Sequence, residues 1–114
     1  MAVELSPPAD LEQIGQLQRQ LQAACRELAV EEMLAEAVQA AGVAAWSALV
    51  LAEAQGLTLT LERQSAGISL CLGFDTAGGE TPAGLAAPLF CPPARQAGLG
   101  WRQGRQVFEV QWDE

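Results

Sequence analysis

Leu57-Thr58-Leu59-Thr60-Leu61-Glu62-Arg63-Gln64-Ser65-Ala66-Gly67-Ile68-Ser69-Leu70-Cys71-Leu72-Gly73-Phe74 alternates apolar and polar residues in two runs, separated by a short glycine-containing turn. Successive side chains of a strand point to opposite faces, so period-two alternation is the mark of a strand with one buried side. Leu57, Leu59 and Leu61 line one side of the first run, and Ile68, Leu70, Leu72 and Phe74 one side of the second. The stretch reads as a β-hairpin. Cys71 falls opposite the leucine face, as a small packing residue.

Just before the hairpin the pattern is double-valued. In residues 43–55 the alanines, with Trp46, Val50 and Ala54, suit a continued helix, yet Ser47-Ala48-Leu49-Val50-Leu51-Ala52 also suits a strand bounded by Gln55-Gly56. The strand reading, from Ser47 to Glu53, is preferred. It makes residues 47–74 a three-stranded meander, which can share one apolar face where a lone hairpin is marginal. Further back, Met33, Leu34, Ala37, Val38 and Ala41 form the apolar side of a helix from about Glu31 to Ala41, with Gly42 as its stop. Glu31, Glu32 and Glu36 load its first half with charge that the helix dipole favours, a solvated face rather than a metal site. Ser6-Pro7-Pro8-Ala9-Asp10 reads as the start of an earlier helix, with Leu11, Ile14, Leu17, Leu21, Ala24 and Leu28 in one stripe among many glutamines.

Beyond the hairpin, residues 75–100 are punctuated by Gly78-Gly79, Pro82, Gly84, Pro88 and Pro92-Pro93, a long connection that reads equally as a functional loop, part of it pinned to the core by Leu85, Leu89 and Phe90 as a short strand or one helical turn, or as a poorly ordered solvent loop. The last segment, Leu99 to Trp112, reads as a second hairpin turning near Gly104, with Phe108, Val110 and Trp112 on one face; completion of the domain core is the plainer reading of these aromatics, and an interface near the terminus the alternative. The expected fold class is α+β: two N-terminal helices packed on a mainly antiparallel sheet of four to five strands, as a single domain of residues 1–114. The state of residues 43–55 chooses between four and five.

Composition narrows the function. Six arginines against fourteen acids leave a net charge of −8, which argues against nucleic acid and anionic membrane surfaces and fits a basic partner segment or simple solubility better. No apolar run reaches the roughly 18–20 residues of a membrane span, and Met1 to Pro8 lacks the basic start and apolar stretch of a signal peptide. Three cysteines with no CxxC spacing point to reduced thiols in a cytoplasmic protein.

Histidine, lysine, tyrosine and asparagine are all absent. Histidine-based triads and general bases are therefore excluded, along with most zinc sites. No phosphate-cradling glycine motif occurs in a strand-to-helix setting. Asp75 with Glu80 is a loop pair with nothing to desolvate it. Cys25 lies late in its helix and Cys91 precedes Pro92-Pro93, so neither has a nucleophile's surroundings. No enzyme activity, cofactor or metal is expected.

The order from Glu31 onward is an amphipathic helix ending in Gly42-Val43, then Ala48-Leu49-Val50-Leu51-Ala52-Glu53-Ala54-Gln55-Gly56, Leu57-Thr58-Leu59-Thr60-Leu61-Glu62 and Ile68-Ser69-Leu70-Cys71-Leu72. Over residues 31–74 this resembles the class I type III secretion chaperones, small acidic bacterial proteins in which a helix precedes three antiparallel strands. The resemblance implies a homodimer that holds an extended segment of a secreted effector against its sheet. The extra helix before residue 31 and a chain ending on a strand depart from that pattern.

The expectation is thus a non-catalytic, chaperone-like binding module working by strand addition at a sheet edge. Leu49 and Leu51 on the first strand, with Trp101, Phe108 and Trp112 on the terminal hairpin, are the expected partner-binding residues, and Trp112→Ala is expected to harm binding more than folding. The alternative is an assembly subunit of a larger complex, docking through the helix in residues 1–29.

Overall fold

The computed structural model describes residues 2–5, 10–65, 67–75, 94–102 and 104–113. A short strand, Ala2–Leu5 (β1), opens the chain. A single 3-10 turn, Leu11–Gln13, leads into helix Ile14–Glu27 (α1), and a second helix, Glu32–Leu51 (α2), follows. Strands Gln55–Gln64 (β2) and Gly67–Asp75 (β3) form the central hairpin, and Ala94–Arg102 (β4) and Arg105–Asp113 (β5) the terminal one. The sheet order is β1-β2-β3-β5-β4, antiparallel at every pairing. The expected class, two helices on an antiparallel sheet of four to five strands, is the architecture observed, with five strands.

The central hairpin forms as its alternation dictates. Leu59, Leu61, Ile68, Leu70, Leu72 and Phe74 are buried, and they join one core with Leu17, Leu21 and Leu28 of the first helical segment and Val38, Trp46 and Leu49 of α2. Phe108, Val110 and Trp112 complete this core from β5. The sheet therefore has a helix side, carrying these residues, and an outer side carrying Thr60, Glu62, Ser69, Cys71, Glu109 and Gln111.

The preferred strand at Ser47–Glu53 is wrong: α2 continues through it to Leu51. Leu34, Val38, Ala41, Ala45, Ala48 and Leu49 are buried at helical spacing over the whole length, so period 3.6 overrules the short ambiguous run. Alanine's high helix propensity and the ease of extending an existing helix act in the same direction. Gly42 is no stop either. A Cβ there would lie 2.7 Å from Leu21 Cδ1, so the glycine serves close packing of α1 on α2. Met33, expected on the apolar face, is 77% exposed.

The strand lost from 47–53 is replaced by β1, where Val3 pairs with Leu61 and Leu5 with Leu59. By length and composition α2 is apolar enough to cross a membrane, contrary to the expectation that no run would be. Leu34, Val38, Trp46 and Leu49 of this helix join the core with α1 and β3, and less than half of the apolar stretch is buried. The expected turn near Gly104 is present, with Gly104 at φ 79°, but β4 begins five residues earlier than Leu99. The expected helix start at Ser6–Ala9 and most of the 75–98 connection, with Leu85, Leu89, Phe90, Cys91 and Glu80, lie outside the described residues. Asp10 is described, and its Oδ1 accepts a hydrogen bond from the Glu12 N–H at 2.9 Å, capping the 3-10 turn.

Candidate functional site

The two edges of the sheet are built differently. β1 is four residues long with Glu4 in its middle, a short edge of the kind that resists pairing with other chains. β4 runs for nine residues, and its centre, Ala97-Gly98-Leu99-Gly100-Trp101, carries no charge. A register irregularity between Ala94 and Gln96 interrupts only its start. Among the described residues β4 pairs with β5 alone.

Register assigns the two faces of this edge. Leu99 stands opposite Phe108, and Trp101 opposite Gln106, so both share the helix side of the sheet with the core residues of β5. Neither is covered: Leu99 is 43% and Trp101 67% exposed. Gly98 and Gly100 alternate with them on the outer side, opposite Glu109 and Val107. A Cβ added at either glycine would meet no atom within 4 Å.

Backbone polarity follows from the hairpin. Arg102 and Arg105 close a two-residue connection, and such a closing pair exchanges both its hydrogen bonds, with alternate pairs doing the same along the ladder. Gly100 and Gly98 are thus bonded to β5, and Trp101, Leu99 and Ala97 direct their N–H and C=O groups away from the sheet.

Arg105 anchors this hairpin from the outer side. Its guanidinium donates to the Gly56 carbonyl, and its Nε lies 3.5 Å from Asp75 Oδ1. That separation is an ion pair without a hydrogen bond, and Nε is buried and unpartnered as a donor. Gly56 has φ 59° where the β2–β3 register shifts, and a side chain there would meet Asp75 and Arg105. The clamp ties the start of β5 to the start of β2 and the end of β3.

The expected binding residues divide. Trp101 is exposed on the edge strand. Phe108 and Trp112 belong to the core, with Trp112 only 2% exposed, and its indole N–H is buried without a partner. Leu49 is buried in α2 and Leu51 is 72% exposed at that helix's end, so neither lies on a strand. Leu99 and the two glycines were not among the expected residues. Their signal was the Gly-Leu-Gly-Trp alternation itself, apolar on one face and empty on the other.

Other candidate chemistry stays dispersed. A depression of about 400 Å³ between the helices is lined by Gln22, Cys25, Arg26, Glu32, Glu36 and Gln39, and a smaller one of about 160 Å³ on the outer sheet face by Thr60, Glu62, Ser69, Cys71 and Glu109. Burial pushes the Cys25 thiol up to about 11, which holds it protonated and unreactive. Among the described residues no three Cys, Asp or Glu side chains are grouped to hold a metal ion. The apolar stripe of α1 packs on its own core, with Leu17, Leu21 and Ala24 buried and Ile14 half-buried, leaving Gln13, Gln16, Gln18 and Gln22 outward. No protein-family model matches this chain, and a search of curated proteins finds no match either.

Proposed function

We propose that this chain is a non-catalytic protein-binding module of the chaperone type, which holds an extended partner segment by strand addition along the outer edge of β4. One observation carries the reading: a nine-residue edge strand with an uncharged centre, whose helix side exposes Leu99 and Trp101. Main-chain hydrogen bonds would supply affinity, and burial of these two side chains would add to it. Each Å² of apolar surface removed from water is worth roughly 25 cal/mol.

The resemblance to secretion chaperones loses one of its three strands, because Ala48–Leu51 is helix. The edge carries the proposal without it. Docking through α1 has less support, since that helix's apolar stripe packs within its own molecule. The sequence-based expectation of a cofactor-free cytoplasmic protein with a protein partner belongs to the same proposal.

The test is a pair of prolines. Leu99→Pro removes an N–H directed away from the sheet and leaves the β4–β5 ladder whole, whereas Gly100→Pro breaks that ladder. Binding of a fluorescent, blocked nine-residue peptide alternating valine and threonine should be lost in Leu99→Pro with the circular dichroism spectrum unchanged. Undiminished binding by Leu99→Pro refutes strand addition at this edge.

A further inference from the structure

We infer that the outer face of the sheet carries a site for a guanidinium group, in the trough over β3 where the Ser69 hydroxyl lies buried without a partner. The site is separate from the β4 edge, and the inference does not rest on strand addition.

The trough follows from the sequence of β3. Alternation places Gly67, Ser69, Cys71 and Gly73 on the outer side of this strand, opposite its buried Ile68, Leu70 and Leu72. The flanking strands are bulkier there. β2 sets Thr60 against Cys71 and Glu62 against Ser69, and β5 sets Glu109 against Cys71 from the other side. Small side chains between larger ones leave the depression of about 160 Å³, with Ser69 and Cys71 on its floor and Thr60, Glu62, Gln64 and Glu109 around them. The backbones of β2 and β5 stand roughly 10 Å apart across β3, twice the spacing of neighbouring strands.

Ser69 is the observation that points to an occupant. It is only 3% exposed, yet its hydroxyl makes no hydrogen bond among the described residues. A buried hydroxyl is costly to leave unbonded, and the open space that Ser69 borders is this depression.

The lining selects the charge of what enters. Glu62 is exposed and has no partner among the described residues. Glu109 is already engaged, since the Gln111 amide donates to its Oε1 at 2.7 Å, and it serves as a fixed anionic wall. No arginine lines the depression, and the chain has no lysine. A cation with several donors fits this set. A metal ion does not, because among the described residues no three Cys, Asp or Glu side chains are grouped to hold one. A guanidinium gives up its water more readily than an ammonium and spreads its donors in a plane, so it can serve Glu62, Thr60 and Ser69 together. The volume of about 160 Å³ also lies below the roughly 300–1,000 Å³ of a pocket for a whole drug-sized molecule, and admits a head group with part of its stem.

The experiment is chemical-shift mapping on the full chain with the N-acetyl amides of arginine, lysine and citrulline, the last having the shape of arginine without its charge. The arginine compound should move the backbone signals of Glu62, Ser69 and Cys71. It should bind about threefold to fivefold more tightly than the citrulline compound, the range of a partly exposed ion pair, with the lysine compound between them. Glu62→Gln, a change at an exposed position, should bring arginine down to the citrulline level. Ser69→Ala should weaken arginine and citrulline alike, with the circular dichroism spectrum unchanged. Butylguanidinium separates the sources: binding as tight as the arginine compound's supports a free small ligand, and weaker binding supports an arginine of a polypeptide. An arginine preference that survives Glu62→Gln overturns the inference. So does its equal loss in Glu36→Gln, since Glu36 is exposed on α2 and would report general attraction to a net charge of −8. If no compound moves these signals, the depression holds solvent alone and the inference fails, leaving strand addition at β4 to its own test.

Discussion

Replacing Ala29 by glycine should stabilise this protein, while the same exchange six residues earlier, at Ala23, should destabilise it. Helix α1 ends with Ala29 at φ 55°, a left-handed conformation. The Val30 N–H bonds the Cys25 carbonyl at 2.9 Å and the Ala29 N–H bonds that of Arg26 at 3.1 Å, the paired bonds of a Schellman ending. A Cβ in this conformation costs roughly 1–2 kcal/mol. Glycine removes that cost but makes the unfolded chain freer by about 0.5–1 kcal/mol. The balance is a gain of about 0.5–1 kcal/mol.

Glu53, at φ 57°, ends α2 with the same pair of bonds, from Ala54 to Leu49 and from Glu53 to Val50. The two sites sit at the ends of different helices, so their effects should add, to about 1–2 kcal/mol. For 114 residues that raises Tm by roughly 4–8 °C. Ala23 is exposed within the regular part of α1, where glycine costs about 1 kcal/mol. Urea unfolding of Ala29→Gly, Glu53→Gly, the double variant and Ala23→Gly reads all four. A loss of stability in Ala29→Gly equal to that in Ala23→Gly would refute the reasoning.

Three further outcomes follow from burial and close approach. Trp112→Ala should cost about 3–5 kcal/mol by denaturant unfolding, as a large core truncation, while Trp101→Ala stays within about 0.5 kcal/mol; similar losses for both would contradict their burial of 2% and 67%. Gly67→Ala should cost about 3 kcal/mol or leave the chain unfolded, because its Cβ would sit 1.9 Å from the Trp112 carbonyl oxygen, a backbone atom that cannot swing aside. Stability should fall as pH rises from about 9 towards 11, since the unfolded Cys25 thiol ionises near 9.0 and the buried one resists ionising until about 11. Below about 9 both states hold the proton and the contribution is fully present. Cys25→Ala should flatten this slope in urea unfolding between pH 8 and 11, and an unchanged slope would assign it to other groups.

The leucine alternation of residues 57–74 and the aromatic alternation of 106–112 sufficed to place two hairpins, because a strand's period of two is a local property written in adjacent residues. The stripe of α1 was legible for the same reason, and the absence of histidine removed whole classes of chemistry before any geometry was known. The start of α2 near Glu31 was legible too, but its C-terminal end was not. Gly42 carries the local mark of a stop, yet it lies mid-helix because Leu21 of the neighbouring helix needs its missing side chain. The true endings use alanine and glutamate in left-handed conformations, with Arg63 of β2 donating to the Leu28 carbonyl at 2.7 Å and that of Ala29 at 2.9 Å, contacts spanning some 35 positions.

The candidate site divides along the same line. Alternating Gly-Leu-Gly-Trp shows in the residues that one side of β4 is apolar and the other bare. Which strand lies at the edge depends on the order β1-β2-β3-β5-β4, and so does the exposure of Trp101 beside the burial of Trp112. Strand order arises from long-range pairing and from how far two helices can reach across a five-stranded sheet, and no window of neighbouring residues contains either.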